Sequence, residues 1–274
     1  MESKLSKLSK LSRLSHFIVK NSVLLGIAYI HYLVLPSVVP TFGFVVARNI
    51  TFSYGIEYLT RNKPLVSSRY KEPLEQYPGE FLCYLVKASA LEVATTQLMM
   101  VSCFKFWPSP WQLVAMIPIS FGAEIFFDLL HYIAHRIFHE TPYLYRNFHK
   151  THHRHQHVKP ILAFYQDQVD LVFSNSLPLL ATYYLLRYFF NISHSHIAIM
   201  YTYKVFIEVA GHGNKRSYPT SSFPQLVWLP KTLGISLYTE DHNEHHTNPT
   251  CNYAKRFSLW DQMFGTRSAL IHSY

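Results

Sequence analysis

One polar stripe inside an otherwise apolar segment constrains this chain more than any other feature of its sequence. Residues 121–140 read FGAEIFFDLLHYIAHRIFHE, and titratable residues recur there at steps of four, three, four and four: Glu124, Asp128, His131, His135 and His139. Side chains three and four residues apart stack along one face of an α-helix. The spacing therefore predicts a helix with all five groups on a single face. Pro142 then ends this helix, because the residue before a proline is displaced from the helical region.

The composition indicates a membrane protein. Of the 274 residues, 49% are hydrophobic and only 15% are charged, whereas an average globular chain carries about 25% charged residues. The formal net charge of +9 does not indicate nucleic-acid binding, because the basic residues are scattered among apolar runs. An excess of Lys and Arg beside apolar runs instead predicts that the basic loops lie in the cytosol. Three cysteines without a CxxC pattern indicate neither a disulfide framework nor a thiolate zinc site.

The first third of the chain leaves two questions open. Residues 1–15 place a leucine at every third position, which predicts either a solvated basic tail in the cytosol or a helix anchored in the membrane interface. Residues 17–47 are apolar but are broken at Pro36 and Pro40. Because a bilayer core takes about 20 helical residues, this segment is either one span or a bent, re-entrant pair. Residues 48–79 are polar and are expected to form a cytosolic connector.

The later apolar runs predict helical hairpins. Residues 81–104 and 111–130 are joined by KFWPSP, a short turn with a tryptophan at interface depth. Lys87 and Glu92 in the first run are costly in lipid and should face protein. Residues 168–190 and 195–210 form a second hairpin. His194 and His196 would lie at its tip, a membrane thickness away from the other histidine clusters, and we exclude them as ligands.

Histidine clusters recur along the sequence at a spacing typical of metal sites. Two HxxHH motifs follow the helix, and a single histidine lies between them, so the candidate ligands are His135, His139, His149, His152, His153, His212, His242, His245 and His246. Nine ligands are too many for one ion, because zinc and iron take four to six, and two metal ions are therefore expected. Burying nine imidazoles without a metal would leave many unmet hydrogen bonds. Imidazole suits iron, zinc and copper alike, so ligand type alone does not choose the metal.

Further polar residues are expected to support these ligands. His131 shares the helical face and is expected near the metals, either as a ligand or as a residue that contacts a ligand. Ligand histidines need their far nitrogen held in place, and the acidic candidates for this role are Asp128, Asp241, Glu244 and Asp261. Asp261 could equally stabilise its own loop. Glu208 lies four residues before His212. Three roles are open for it: a metal ligand, a group that orients His212, or a structural partner of Lys204. A protease-type HExxH motif fails because position 143 is tyrosine.

At these residues the chain resembles the membrane-bound fatty acid hydroxylase superfamily, in the group of sterol desaturases, methyl sterol oxidases and alternative squalene epoxidases. The resemblance rests on DLLHYIAHRIFHETPYLYRNFHKTHH, DHNEHH and NYAKRFSLWDQMFGT, and it covers about residues 80–268. The three histidine boxes of that superfamily map onto the clusters above, with His212 at the position of the single intervening histidine. Residues 211–215 read GHGNK where methyl sterol oxidases usually carry HSGY, and this departure leaves the epoxidase branch open as an alternative.

The resemblance implies a fold, a cofactor and a location. It implies an all-α membrane protein with transmembrane hairpins and a cytosolic, histidine-rich di-metal lobe in the endoplasmic reticulum. It implies two iron ions, which zinc could replace in purified protein, with O2 as co-substrate and a separate cytochrome b5 or reductase as electron donor. The expected activity is oxygenation of a sterol or sterol precursor. Squalene epoxidation is the alternative, and a non-catalytic protein with a structural zinc site is a remote one.

The same resemblance divides the chain into three parts. Residues 1–16 form a basic N-terminal tail, and residues 17–79 form the N-terminal membrane segment and its connector. Residues 80–274 form a catalytic domain similar to the fatty acid hydroxylases. Expected partners are the lipid substrate, the electron donor and the membrane, without nucleic acid.

Overall fold

The chain forms long helices that surround one central helix. The computed structural model describes residues 4–66, 78–101, 103, 105–155, 158–216, 221 and 223–268, with side chains from Ser12 onwards. No β-strand occurs within these ranges. The helices are α1 (Lys4–Val34), α2 (Val38–Leu59), α3 (Pro78–Met100), α4 (Pro110–Glu140), α5 (Gln168–Phe189, with a π-helical turn at Val172–Ser176), α6 (His194–Gly211), α7 (Trp228–Thr232), α8 (Thr239–Thr247) and α9 (Leu259–Met263).

Three helical segments are long and apolar enough to cross a membrane. They are Ser12–Val34 within α1, the whole of α4 and the whole of α5. Large apolar side chains on them point outward, such as Val19 at 61% exposed and Phe189 at 66% exposed. In water this exposure would be costly, whereas in lipid it is favourable. The predicted all-α membrane fold is confirmed.

The N-terminal region forms two helices, so residues 17–47 are not a single span. Pro36 lies in the three-residue break between α1 and α2, and Pro40 lies in the first turn of α2, where a missing N–H is tolerated. The chain is already helical from Lys4, where a basic tail or an anchor helix was expected. The polar connector predicted to begin at residue 48 starts only after Leu59. Residues 67–77 of that connector lie outside the described residues.

Buried polar contacts explain why α2 continues past the predicted boundary. Arg48 is buried, and its Nη2 donates to both carboxylate oxygens of Glu92 on α3 at 2.6 Å. One residue later, Asn49 Nδ2 donates to Ser89 Oγ at 3.1 Å. Glu92 therefore faces protein as predicted. Lys87 does not: its side chain is exposed and its ammonium lies 5.6 Å from the centre of the Tyr84 ring, so that prediction is wrong.

The predicted hairpin of α3 and α4 is wrong as a packed pair. Residues 101–109 connect the two helices, but α3 packs mainly along α2 and α4 packs along α5. Ala123 and Phe127 of α4 join Leu179 and Tyr183 of α5 in one apolar cluster. The reason is physical: the side chains that α3 and α4 bury face their other chain neighbours, α2 for α3 and α5 for α4, and not each other. Sequence proximity does not report such a preference.

Helix α6 runs through the middle of the bundle and ends at the histidine clusters. Most of its residues are buried, and α1 packs along it. The Tyr203 hydroxyl donates to Asn21 Oδ1 at 3.0 Å, which fixes the two helices against each other. Its N-terminal end carries His194 and His196. Sixteen residues at 1.5 Å each place His196 about 24 Å from His212, so the structure keeps these two histidines away from the clusters.

A buried carboxylate attaches the C-terminal lobe to α4. Asp128 Oδ1 accepts hydrogen bonds from the backbone N–H groups of Lys255 and Arg256 at 2.8 Å, and Oδ2 accepts one from Phe257 at 3.0 Å. The Arg256 side chain is fully buried, with Nε 2.9 Å from Glu124 Oε2. These contacts hold residues 251–257 over the end of α4, where the histidines lie.

Replacing Asp128 with Asn should loosen this attachment. An amide cannot accept three backbone hydrogen bonds as a carboxylate does, and hydrogen bonds to charged groups are worth ~1.5–3 kcal/mol each. We expect the amides of residues 255–257 to exchange hydrogen about 10-fold faster or more. The control is Glu140→Gln, which removes an exposed ion pair from the same helix and should leave those amides unchanged. Unaltered exchange in Asp128→Asn would contradict this role.

Candidate metal centre

Local structure places the histidines at one end of the bundle. His135 and His139 lie on the last two turns of α4. The chain then turns through Pro142–Leu144 and a π-helical turn at Tyr145–His149, and His152 and His153 follow on a 3-10 turn. His212 caps the C-terminal end of α6, and α8 carries the three histidines of the second HxxHH motif.

Five histidines converge in a first group. One ring nitrogen from each lies within 4.8 Å of the others, and the group comprises His135, His139, His149, His153 and His245. The Nε2 atoms of His139 and His149 are 2.8 Å apart, and that of His135 lies 3.2 Å from both. All but His139, which is half-buried, are buried.

The other four histidines form a second group beside the first. They are His152, His212, His242 and His246, all buried, again with one ring nitrogen each within 4.8 Å. His242 Nε2 lies 2.9 Å from His212 Nε2 and 3.3 Å from His246 Nε2. The rings of His153 and His246, one from each group, stack with their centres 4.7 Å apart. All nine histidines that the spacing selects are therefore brought together, in groups of five and four.

Each HxxHH motif is divided between the two groups. His149 and His153 enter the first group, whereas His152 enters the second. The motif on α8 does the reverse, since His242 and His246 enter the second group and His245 enters the first. In both motifs the first and last histidines stay together and the middle one crosses over. The two motifs therefore link the groups to each other.

Hydrogen bonds fix the tautomer of several of these imidazoles. Nδ1 of His135 donates to the Tyr253 carbonyl at 2.7 Å, and Nδ1 of His245 donates to the Cys251 carbonyl at 2.7 Å. His212 Nδ1 donates to the Glu208 carbonyl at 2.8 Å. A carbonyl oxygen only accepts, so in each case the proton is on Nδ1 and a bare lone pair is on Nε2.

Converging lone pairs fit a metal ion. Nitrogen lone pairs at 2.8–3.3 Å repel unless a proton or a cation lies between them. His135, His212 and His245 have no proton on Nε2 to place there, because each carries it on Nδ1. Ligand nitrogens bound about 2.1 Å from a common ion and at right angles lie about 3.0 Å apart, which matches these separations. The residues present therefore fit a metal ion in each group.

Burial keeps five of the clustered histidines outside the membrane-spanning helices neutral. It lowers the pKa of His245 to about 3 and that of His212 to about 4. Burial, followed by repulsion from neighbouring histidines, lowers the pKa of three others well below the usual value: His152, His242 and His246. A neutral imidazole is the form that binds a metal, so at neutral pH no proton must be displaced.

The predicted supporting residues lie near the groups, and Glu208 and Asp261 take the structural roles that were among their expected alternatives. His131 is buried with its ring centre 5.0 Å from that of His135, yet it joins neither group and its Nδ1 donates to the Ser174 carbonyl at 2.6 Å. The Glu208 side chain pairs with Lys204 at 2.9 Å and Lys255 at 2.5 Å. The backbone carbonyl of Glu208, and not its side chain, orients His212.

Three of the four acidic candidates bind backbone N–H groups around the site, and the fourth, Glu244, binds a side-chain hydroxyl. Asp128 holds residues 255–257, as described above. Asp261 accepts from the N–H groups of Tyr253 and Ala254 at 2.8 and 3.0 Å, and so fixes the loop whose carbonyl orients His135. Asp241 caps α8 by accepting from Tyr238 N–H at 2.7 Å. Glu244 accepts from the Ser268 hydroxyl at 2.7 Å.

Sequence reasoning missed Asp170, whose carboxylate does contact a clustered histidine. It is fully buried near the start of α5, and its Oδ2 accepts from His149 Nδ1 at 2.9 Å. Residues 168–190 had been taken as a lipid-facing span, so its single aspartate received no role. The available signal was the acidic group itself, because a carboxylate at the edge of an apolar run needs a protein partner.

The fold and the site together define an all-α membrane protein with two histidine groups that could hold metal ions. The chain belongs to the fatty acid hydroxylase family, whose profile matches residues 120–266. That range contains all nine clustered histidines. Members of this family are hydroxylases, that is, oxidoreductases.

Three relatives illustrate the similarity. The fatty acid hydroxylase vlmA of Lecanicillium sp is 29% identical over 71% of this chain and 51% of its own length. The cholesterol 25-hydroxylase of Rattus norvegicus is 27% identical over 54% and 46% of the two chains. The C-4 methylsterol oxidase erg25 of Schizosaccharomyces pombe is 27% identical over 58% and 49%. The chain thus spans about half the length of the curated relatives it matches. No solved structure matches it.

Replacing Asp170 with Asn should weaken metal binding. The substitution removes the negative charge that raises the basicity of His149, and losses of such partners typically reduce metal affinity ~10–100-fold. Affinity is to be measured by competition with a coloured chelator. The matched control is Asp167→Asn, three residues earlier, where aspartate caps α5 through Val169 N–H and asparagine caps equally well. Equal affinities in the two variants would contradict the assignment of Asp170.

Proposed function

We propose that this protein is an oxygen-dependent, non-haem di-iron oxygenase that acts on a sterol or a sterol-precursor lipid. The single observation that carries the proposal is the pair of histidine groups with their nitrogens turned toward common centres. The five-histidine group would hold one iron and the four-histidine group the other. Imidazole nitrogen suits iron as well as zinc, and the choice of iron rests on the oxygenase character of the family.

The chain's own residues would prepare the site in three ways. The carbonyls of Cys251, Tyr253 and Glu208 keep the proton of their histidines on Nδ1, so that Nε2 faces the metal. Burial of the groups keeps bulk water away, which protects a reactive site from side reactions. Asp170 supports the basicity of His149. When bound, two ferrous ions would supply electrons and open coordination positions for the reduction of O2.

The substrate class is argued from the relatives. Two of the three relatives above carry a sterol in their printed names, a cholesterol 25-hydroxylase and a C-4 methylsterol oxidase. A third is named a fatty acid hydroxylase, so an acyl lipid is the nearest competitor. All of these are apolar molecules that reach the enzyme through a membrane, in agreement with three helices able to cross one.

The location follows from charge. Arg146, Lys150 and Arg154 are exposed next to the histidine groups. Basic residues concentrate on the cytosolic side of membrane proteins, so we propose that the site faces the cytosol. The endoplasmic reticulum membrane is proposed from the family resemblance. Electrons would come from a separate donor such as cytochrome b5 or its reductase, docked on this exposed surface.

Expression in yeast tests the proposed activity. The full chain is produced in strains that each lack one oxidative step of sterol synthesis, and sterols and triterpenes are profiled with and without oxygen. We expect an oxygenated sterol that forms only when oxygen is present. Appearance of squalene epoxide alone would favour the epoxidase alternative. Metal-dependent folding without any product, with zinc as effective as iron, would contradict an oxygenase.

His152→Ala should abolish product formation. This histidine belongs to the four-member group, and its loss leaves three ligands and an unfilled position. Turnover is expected to fall to background while the chain remains inserted in membranes. The control is His196→Asn at the opposite end of α6, where the ring only caps the helix through Ser193, and its turnover should be unchanged. Full activity in His152→Ala would exclude it as an essential ligand.

A further inference from the structure

A large cavity lies apart from the histidine groups, between the start of α1 and residues 225–238. Its volume is about 770 Å³, which is within the range of sites that hold small molecules. Apolar walls come from both sides, with Leu14 and Phe17 on α1 facing Leu226 and Trp228. The cavity is therefore large enough, and apolar enough, for part of a lipid.

A fixed joint lies beside the cavity. Asn21 is buried, and its Oδ1 accepts hydrogen bonds from the backbone N–H of Gln225 at 2.9 Å and from the Tyr203 hydroxyl at 3.0 Å. One side-chain oxygen thus ties α1, α6 and the segment after Pro224 together. Because these three elements are joined here, the space beside the joint is part of the fold.

The charges around the cavity have one sign. Arg13, Lys20 and Lys231 line it, together with His16, and none of its lining residues is acidic. Two of the basic residues come from α1 and the third from α7, so positive charge faces the cavity from both sides. An apolar space with a basic rim is complementary to an amphiphile with an anionic head.

The residues around the cavity are those typical of the lipid headgroup region. Arg13 and Lys20 belong to the first turns of the candidate span Ser12–Val34. Trp228 is 58% exposed, as is typical of tryptophan at a membrane interface. Asn21 contacts Tyr203 in the middle of α6, and Tyr238, which lines the cavity, directly precedes α8 with its three histidines, so the cavity lies on the histidine side of that contact. The cavity therefore opens toward the leaflet next to the histidine groups.

We propose that this cavity binds one acidic phospholipid of the surrounding bilayer. The phosphate and the acidic headgroup lie between Arg13, Lys20 and Lys231, and part of an acyl chain lies against Phe17 and Trp228. Anionic lipids concentrate in the cytosolic leaflet and attract basic residues there. Tyr238 lines the cavity and directly precedes α8, so the bound lipid supports the helix that carries His242. The proposal requires a membrane location and does not depend on the reaction catalysed.

Competition between two phospholipids tests the proposal. The purified full chain is reconstituted in nanodiscs made from equal amounts of phosphatidylcholine and phosphatidylserine, then washed in detergent, and the lipid retained per chain is quantified by mass spectrometry. We expect phosphatidylserine to be retained in preference to phosphatidylcholine. Arg13→Glu combined with Lys231→Glu, both at exposed positions, should reduce this preference about fivefold or more.

A matched variant distinguishes lipid binding in the cavity from the general attraction of anionic lipids to a positively charged protein. Arg61→Glu combined with Arg146→Glu changes the net charge equally at exposed positions outside the cavity, and it should keep the wild-type preference. The fluorescence of Trp228 is obtained by subtracting the signal of the Trp228→Phe variant from that of the wild type. Brominated phosphatidylserine should quench this fluorescence more than brominated phosphatidylcholine does. Equal retention of both lipids by the wild type would overturn the proposal. So would an equal loss of preference in the two double variants.

Discussion

The structure depends on hydrogen bonds that turn imidazole lone pairs inward. His135, His212 and His245 each give their Nδ1 proton to a backbone carbonyl, and this leaves Nε2 bare in a buried space. Such an arrangement is unfavourable on its own, because the lone pairs repel and water is excluded. A cation at each centre removes both penalties. The final turns of α4 and α6, residues 149–153 and helix α8 meet at one end of the bundle, around these two centres.

Buried charges position the carbonyls that this arrangement needs. Asp128 and Asp261 both bind backbone N–H groups of residues 253–257, and Tyr253 in that segment orients His135. Glu208 joins α6 to the same segment through Lys255, while its own carbonyl orients His212. These acidic residues thus determine ligand geometry indirectly, by binding the backbone, whereas the Asp170 carboxylate contacts the imidazole of His149 directly. Their burial away from lipid is what makes such charges tolerable near a membrane.

The sequence was sufficient to select the nine histidines but not to divide them. Steps of three and four residues predict a shared face only on a regular α-helix, whereas His149–His153 lies on a π-helical turn followed by a 3-10 turn. The crossing of His152 and His245 into opposite groups is a tertiary arrangement that spacing does not encode. Asp170 was missed for the same reason, since its partner is 21 residues away. The packing of α3 on α2 was missed because helix partners depend on side-chain fit and not on chain order.

Element-specific anomalous diffraction at the iron edge, on crystals of the iron-loaded protein, tests the central claim most directly. The account predicts two iron peaks. One is bonded to the group of five, which comprises His135, His139, His149, His153 and His245. The other is bonded to the group of four, which comprises His152, His212, His242 and His246. A single metal peak would contradict the account. So would an ion that bonds all three histidines of one HxxHH motif, because each motif would then serve one centre instead of joining two.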